Sequence, residues 1–176
     1  MFAVTERLLL RPGWPEDAGA LARAIGDRQV AQMLARVPWP YTVAHAAEWL
    51  GSPHDPLRPR FLVCRRDTAA LVGGIGLDGA GGAELGYWIV RDHWGRGYAT
   101  EAGRAVLAIA DRTFRLDEVR ASHAIDNPAS ARVLAKLGFI AHGAPTQLPS
   151  LGRGGLLDVQ PVQRSRPDRT PLRLAA

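Results

Sequence analysis

An α+β or mixed α/β sheet with helices on its faces is the fold class this sequence predicts, on three observations. Three short apolar runs, Arg60 to Arg65, Ala70 to Leu77 and Ala83 to Val90, follow one another between turn-forming residues and read as an antiparallel meander. From Tyr98 to Phe114 the period changes, with Ala102, Val106, Ile109, Ala110 and Thr113 lining one helical face. Strand character returns from Val119 to Ile125 before a further helical stretch, and strands interleaved with helices make layers of sheet and helix.

The remaining elements follow from local signals. Arg7 to Arg11 holds the run Leu8-Leu9-Leu10, stopped by Pro12-Gly13, which gives a first short strand. Pro15 fits the first position of a helix, and Glu16 and Asp17 suit the positive end of its dipole. Ala18, Leu21, Ala22 and Ile25 then recur at helical spacing before Gly26. Thr42 is placed as N-cap of a second helix through Ala46, Trp49 and Leu50, ended by Gly51-Ser52-Pro53. Between the two, Pro38-Trp39-Pro40-Tyr41 is too proline-rich for a helix and either walls a pocket or packs a helix joint.

Asp126 or Asn127 caps a fourth helix that has Pro128 in its first position and Val133, Leu134 and Leu137 on its core side. Gly138 is placed for the left-handed cap, with Phe139 folding back on the last turn. After Gly143 the pattern weakens, and only Leu156 to Val162 resembles another strand. Residues 1–163 are read as a single domain and residues 164–176 as an irregular or disordered tail.

The 176 residues, 47% hydrophobic, suffice for one core and are too few for two domains. The N-terminus lacks the basic start and apolar stretch of a signal peptide, so a cytoplasmic location is expected, with no membrane partner. Cys64, the lone cysteine, excludes an intrachain disulfide framework and sits in the apolar setting of a buried strand. The histidines show no metal-ligand grouping, and no metal is expected. A net charge of +5 and a pI near 10.3 suit an anionic partner. The cations are almost all arginine, scattered as singles and pairs with Lys136 the only lysine, which favours small-ligand phosphates over nucleic acid.

Two glycine patterns compete for such a phosphate. Gly74-Ile75-Gly76-Leu77-Asp78-Gly79 formally matches the dinucleotide fingerprint, but another strand follows it where the fingerprint requires a helix, so it reads as a strand end and hairpin. Trp94-Gly95-Arg96-Gly97-Tyr98-Ala99 lies where an apolar strand ends and a well-patterned helix begins. Gly95 and Gly97 remove side chains that would hold a phosphate away, leaving backbone N–H groups and the helix dipole aimed at an anion. Arg91 and Arg96 add charge there. No G-K-[ST] follows, which disfavours a nucleoside triphosphate with magnesium.

Three separated segments now resemble the GNAT superfamily of acetyltransferases, within it the branch of ribosomal-protein N-terminal alanine acetyltransferases. Glu84-Leu85-Gly86-Tyr87-Trp88-Ile89 resembles the family's fourth strand, His93 to Ala102 its pyrophosphate turn and following helix, and Asn127 to Phe139 its next helix. Weaker echoes at Thr5 to Arg11, Pro40-Tyr41-Thr42 and Ala47-Glu48-Trp49 extend the likeness to about four fifths of the chain. It implies a central, mostly antiparallel sheet of six to seven strands flanked by about four helices, with acetyl-CoA as acyl donor. It further implies that Ile89 and Val90 offer backbone groups to pantetheine and that N–H groups from Trp94 through Gly95, Arg96, Gly97, Tyr98 and Ala99 to Thr100 hold the pyrophosphate. Asn127 would bond the pantetheine or the acyl end, and Ser130 would lie near the thioester sulfur. The general family pattern Q/R-x-x-G-x-G/A has Trp94 in its first place here, which backbone donation tolerates.

Moving an acetyl group from a thioester to an amine needs a neutral amine, a stabilised oxyanion and a proton for the thiolate. Family mechanism implies direct attack in a ternary complex, with an N–H near Ile89 or Val90 polarising the carbonyl. Glu84 is the first candidate base, against an exposed strand charge; His123, in the strand before Asn127, is the alternative base, against a packed histidine. Ser130 is the candidate proton donor, against simple helix-end bonding, and Tyr98 a further one. The expected activity is N-acetyl transfer to a protein N-terminus or small amine, by a monomer or homodimer. The alternatives are a non-catalytic acyl-CoA-binding module and a basic nucleic-acid binder.

Overall fold

The meander spelled out by the sequence is the centre of the sheet. The computed structural model describes residues 1–53, 55–79 and 82–167. The strands are β1 (Ala3–Val4), β2 (Leu8–Arg11), β3 (Arg60–Arg65), β4 (Leu71–Asp78), β5 (Glu84–Ile89), β6 (Glu118–Ala124), β7 (Ile140–Ala141), β8 (Thr146–Ser150) and β9 (Gly155–Ser165). The helices are α1 (Ala18–Ile25), α2 (Arg28–Ala31), α3 (Val43–Gly51), α4 (Tyr98–Arg112) and α5 (Pro128–Lys136). The strands run β1-β2-β3-β4-β5-β6-β9-β7, with β8 paired to β9. Every pairing is antiparallel except β5 with β6, which are joined by α4 and share a single parallel bridge, Glu84 with Arg120. Beyond that bridge β5 and β6 part, and the sheet opens into a gap.

Alternation along β5 sends successive side chains to opposite faces. Leu85, Tyr87 and Ile89 join the main core with α4 and α5, while Trp88 packs in a second cluster with Leu21, Ala46, Trp49 and Leu62 under α1 and α3. Phe61, Leu8, Leu10, Val72 and Val106 are fully buried, each contributing about 1.5–3 kcal/mol by leaving water. Gly74, the start of the spurious dinucleotide pattern, lies mid-strand opposite Trp88, and a Cβ there would fall 2.6 Å from the indole nitrogen. Gly74 makes room for an aromatic ring, Gly76 for the backbone of Pro59 and Arg60, and the strand β5, not a helix, follows the pattern.

The helix signals act as read. The Thr42 hydroxyl accepts from His45 N–H, Asn127 Oδ1 accepts from Ser130 N–H, and Gly138 takes φ +86° while Phe139 N–H reaches back to Leu134 O.

Four expectations are corrected. Nine strands are described where six to seven were expected: β1 and β7 have two residues each, too few to show a period, and β8 carries Pro149 with nearly every residue exposed. Five helices replace about four, because α2 is a single turn that Asp27 caps through Gln29 N–H. Thr113 is exposed just past the end of α4, whose buried stripe is Ala102, Gly103, Val106, Leu107 and Ala110. The last strand continues to Ser165, two residues past the expected boundary, because Arg164 makes a two-pronged bond to Asp111 of α4 and Arg166 pairs with Asp117. The tail reading for residues 168–176 lies outside the described residues.

Cys64 is buried, and burial pushes its thiol above the usual range. Ten different arginines pair with carboxylates, spread from just before β2 to beyond β9. No described helix is long and apolar enough to cross a membrane.

Candidate active site

The glycine turn adopts the conformation its sequence requires. Gly95 and Gly97 have φ of +73° and +79°, the left-handed region in which a Cβ is costly. Gly97 is the N-cap of α4, and the first intrahelical bond runs from Glu101 N–H to Gly97 O at 3.0 Å. The N–H groups of Tyr98, Ala99 and Thr100 therefore precede the helix's own ladder and face an incoming anion with the positive end of the dipole.

Two contacts hold this turn from behind. Trp94 donates its indole N–H to Ile89 O at 2.7 Å and its backbone N–H to Arg91 O, so it braces the turn against β5 and has no N–H left for a phosphate. Arg7 donates to Glu101 through its backbone N–H at 2.9 Å and its Nε at 2.7 Å, reaches Arg96 O at 3.0 Å, and stacks 4.8 Å from the centre of the Tyr98 ring. The Thr5 hydroxyl also donates to Glu101, at 2.6 Å. Burial alone would raise the Glu101 carboxyl, but the bonds from Thr5 and Arg7 outweigh it and hold it below the usual range. The opening Thr5-Glu6-Arg7 is thus the rear clamp of a turn about ninety residues away.

In front of the turn lies a cavity of about 1000 Å³ that passes through the β5/β6 gap. His93, Trp94, Gly95, Gly97, Tyr98, Ala99, Thr100, Asn127 and Ser130 line its donor end, and Ile89, Glu84 and His123 line it further along. Val90, Arg91 and Arg96 do not line it. Arg91 is half exposed, 3.7 Å from Asp27, and Arg96 is exposed. Sequence reasoning passed over Arg132 and Lys136, exposed cations one turn apart on α5 that border the cavity near Ser130.

Backbone pairing decides which strand amides are open. Val90 N–H is spent on Val72 O at 2.9 Å. In an antiparallel ladder the neighbouring residue then turns its N–H to the other side, so Ile89 and, two residues earlier, Tyr87 aim theirs into the gap that β6 has left. A rise of about 3.3 Å per residue puts Tyr87 about 10 Å and Ile89 about 17 Å along the strand from Glu84.

The titratable groups divide between the two faces of β5. Glu84 is half-buried, its one side-chain contact the Ser122 hydroxyl at 3.5 Å, and among the described residues no cation lies within 4.0 Å of it. His123 Nδ1 lies 3.0 Å from Ala124 O; a carbonyl only accepts, so Nδ1 is the donor of this bond, which leaves Nε2 as the ring nitrogen free to act on a ligand. On the opposite face Ser130 Oγ lies 2.7 Å from the Tyr87 hydroxyl, and burial pushes that phenol up to about 12 against the opposing effect of the Ser130 bond. Sequence reasoning singled out Ser130 but missed Tyr87, although both stood in quoted segments, because nothing local says that side chains 43 positions apart meet. His93 is held below its usual pKa by burial and by Arg96 and Arg65, and its buried Nδ1 has no partner among the described residues.

Comparison with known proteins fits this geometry. The acetyltransferase (GNAT) domain family matches residues 7–140. The uncharacterized N-acetyltransferase p20 of Bacillus licheniformis is 28% identical over 163 residues, covering 88% of this chain and 90% of the relative. Among solved structures, the ribosomal-protein-S5-alanine acetyltransferase of Vibrio fischeri superposes with a TM-score of 0.79 at 20% identity, covering 97% of this chain and all of its own. The spermidine N-acetyltransferase of Vibrio cholerae, solved with CoA and spermine, does so with a TM-score of 0.74 at 21% identity, covering 92% of this chain and 97% of its own.

Proposed function

The chain belongs to the acetyltransferase (GNAT) domain family, and from that premise we propose that it is an acetyl-CoA-dependent N-acetyltransferase acting on a primary amine by direct transfer in a ternary complex. The observation that carries this reading is one cavity with the left-handed glycine turn at one end and an unpaired carboxylate, Glu84, further along. The spermidine acetyltransferase, whose solved complex contains CoA, supports the donor. The two superposed enzymes are named for a ribosomal protein's alanine and for spermidine, which supports a protein or a small amine as acceptor class. With acetyl-CoA as donor, the cytoplasm is the compartment of the reaction.

The N–H groups from Gly95 to Thr100 receive the pyrophosphate, and Ile89 N–H takes a pantetheine carbonyl. Tyr87 N–H, nearer Glu84 and on the residue whose hydroxyl meets Ser130, is the oxyanion donor. The amine nitrogen attacks the thioester carbon, and its surplus proton passes to Glu84 directly or through water. As the tetrahedral centre collapses, the C–S bond breaks and Ser130 Oγ–H protonates the departing sulfur, giving an amide and CoA thiol, while the serine takes a proton in turn from the Tyr87 hydroxyl 2.7 Å away, which water restores. Asn127 caps α5 and so fixes Ser130 in place.

Kinetics of Glu84→Gln test the assignment. Loss of a general base lowers kcat by about 10²–10⁴-fold, with acetyl-CoA affinity expected to stay within about twofold, since removing one carboxyl away from the turn leaves the phosphate donors in place. Unchanged turnover would remove Glu84 from the base role and pass it to His123 Nε2.

A further inference from the structure

The acceptor end of the cavity has a composition that selects among amines. On β5, Glu84, Gly86 and Trp88 share the face turned to α1 and α3. Gly86 is exposed, and a Cβ built on it would meet no atom within 4 Å, so an open slot lies between the Glu84 carboxylate and the Trp88 indole. The cavity into which this slot opens carries apolar side chains from several elements, Leu21 and Ile25 of α1, Met33, Trp49 of α3, and Leu157 of β9, with Tyr41, Ser122 and His123 as polar members. The other charged groups on this wall are already engaged. Asp78 is bound to Arg36 at 2.7 Å, and the Arg60 guanidinium is turned onto Ser52 and stacked on Trp49.

A single unpaired carboxylate offers a place for a single ammonium, and Trp88, on the same face about 13 Å along the strand, can add a cation–π contact to a nitrogen held between them. A second cation further along the ligand would rest against hydrocarbon without a partner, which is costly. We infer that the acceptor is a primary monoamine with an aromatic or branched apolar body, its nitrogen over Gly86 between Glu84 and Trp88 and its body against Leu21, Ile25, Trp49 and Leu157. This rests on the acetyl-transfer reading above and narrows its substrate class. It separates the chain from the spermidine acetyltransferase that it superposes on, since a polyamine needs several anionic partners.

The test measures release of CoA thiol from acetyl-CoA with 2-phenylethylamine, spermidine and a peptide beginning with alanine, alongside binding of 2-phenylethylamine to the protein saturated with CoA, read by tryptophan fluorescence. The expected result is a kcat/KM for 2-phenylethylamine at least tenfold above both other amines. Gly86→Ala and Gly86→Val form a graded pair that fills the slot in an open strand position. KM for 2-phenylethylamine should rise stepwise through them, at least tenfold by valine, while the melting temperature and acetyl-CoA affinity hold. A tenfold preference for spermidine or the alanine peptide overturns the inference, as does a KM that Gly86→Val leaves unchanged. If 2-phenylethylamine binds and quenches fluorescence but no amine releases thiol, the acetyl-transfer reading fails while the pocket assignment stands. Neither binding nor turnover overturns both.

Discussion

Replacing Gly97 by alanine separates the two things a glycine does in this turn, allowing a left-handed backbone and letting a phosphate approach. Its φ of +79° costs an L-residue about 1–2 kcal/mol, and Gly→Ala at such a site destabilises. No steric cost to the fold is added, since the nearest atom to a Cβ there is Arg7 Nη2 at 3.5 Å, an ordinary contact. At about 2–4 °C per kcal/mol for a chain of this size, the melting temperature should fall by about 2–8 °C. Gly143, with φ +80° and nothing within 4 Å of its Cβ, carries the same strain in the loop between β7 and β8, where it does not line the cavity. Gly143→Ala should therefore give the same thermal shift. The two should differ in acetyl-CoA affinity. Gly97 lines the cavity, and relaxing its left-handed backbone turns the Tyr98, Ala99 and Thr100 amides out of line, at the cost of one charge-assisted hydrogen bond, worth about 1.5–3 kcal/mol, which is about a tenfold to hundredfold rise in Kd. Calorimetric titration of both variants with acetyl-CoA, beside thermal melts, reads the difference. Equal Kd for Gly143→Ala and Gly97→Ala would refute the reasoning and reduce the glycines to turn formers.

Tyr87→Phe removes the hydroxyl 2.7 Å from Ser130 Oγ and should cost one neutral hydrogen bond, about 0.5–1.5 kcal/mol or roughly twofold to twelvefold in kcat. The loss should vanish in a Ser130→Ala background if the phenol acts only through that serine, which a double-mutant cycle on kcat reads. Asp17→Asn breaks a two-pronged bond to Arg11 in which both side chains are mostly buried, at about 1.5–3 kcal/mol. The Arg11 bond first, then the Trp14 amide, lower the Asp17 pKa against burial, so this stabilisation is fully present above its ordinary value of 3.8 and is lost as pH falls through the lower folded value. Melts below pH 3.8 should accordingly show wild type and Asp17→Asn converging, and a gap that stays constant in acid would disprove the coupling.

The parts of the fold that could be read from the sequence are those written within one element. Leu8-Leu9-Leu10, the Thr42 and Asn127 caps and the left-handed Gly138 each act over a few residues, and each sits where read. The glycine turn was legible for the same reason, because Gly95, Gly97 and the start of α4 are contiguous. What escaped depends on which strand lies beside which. That Val90 N–H is spent on Val72 while Tyr87 and Ile89 face a gap follows from β4/β5 register and from the early parting of β6. The Arg7 clamp on Glu101 and the Tyr87 contact with Ser130 close across 94 and 43 positions. β8 was unreadable for a different reason: it lies against β9 alone, almost wholly exposed, and burial has imposed no alternation on it.

The period of β5 also solves a chemical problem. Acyl transfer to an amine needs a proton removed at the acceptor and another delivered at the donor, and a base touching its own acid would only exchange protons with it. One strand edge keeps them apart, because residues of opposite parity point to opposite sides. In the proposed reaction Glu84, Gly86 and Trp88 form the side on which the amine would lose its proton; Tyr87, turned the other way, meets Ser130, where the thiolate would gain one. Burial keeps the donor side supplied, since a phenol pushed up to about 12 stays protonated at neutral pH. Between the two sides runs only backbone, and its one unpaired N–H at that level, on Tyr87, is the donor that the proposed reaction assigns to the oxyanion of the shared intermediate.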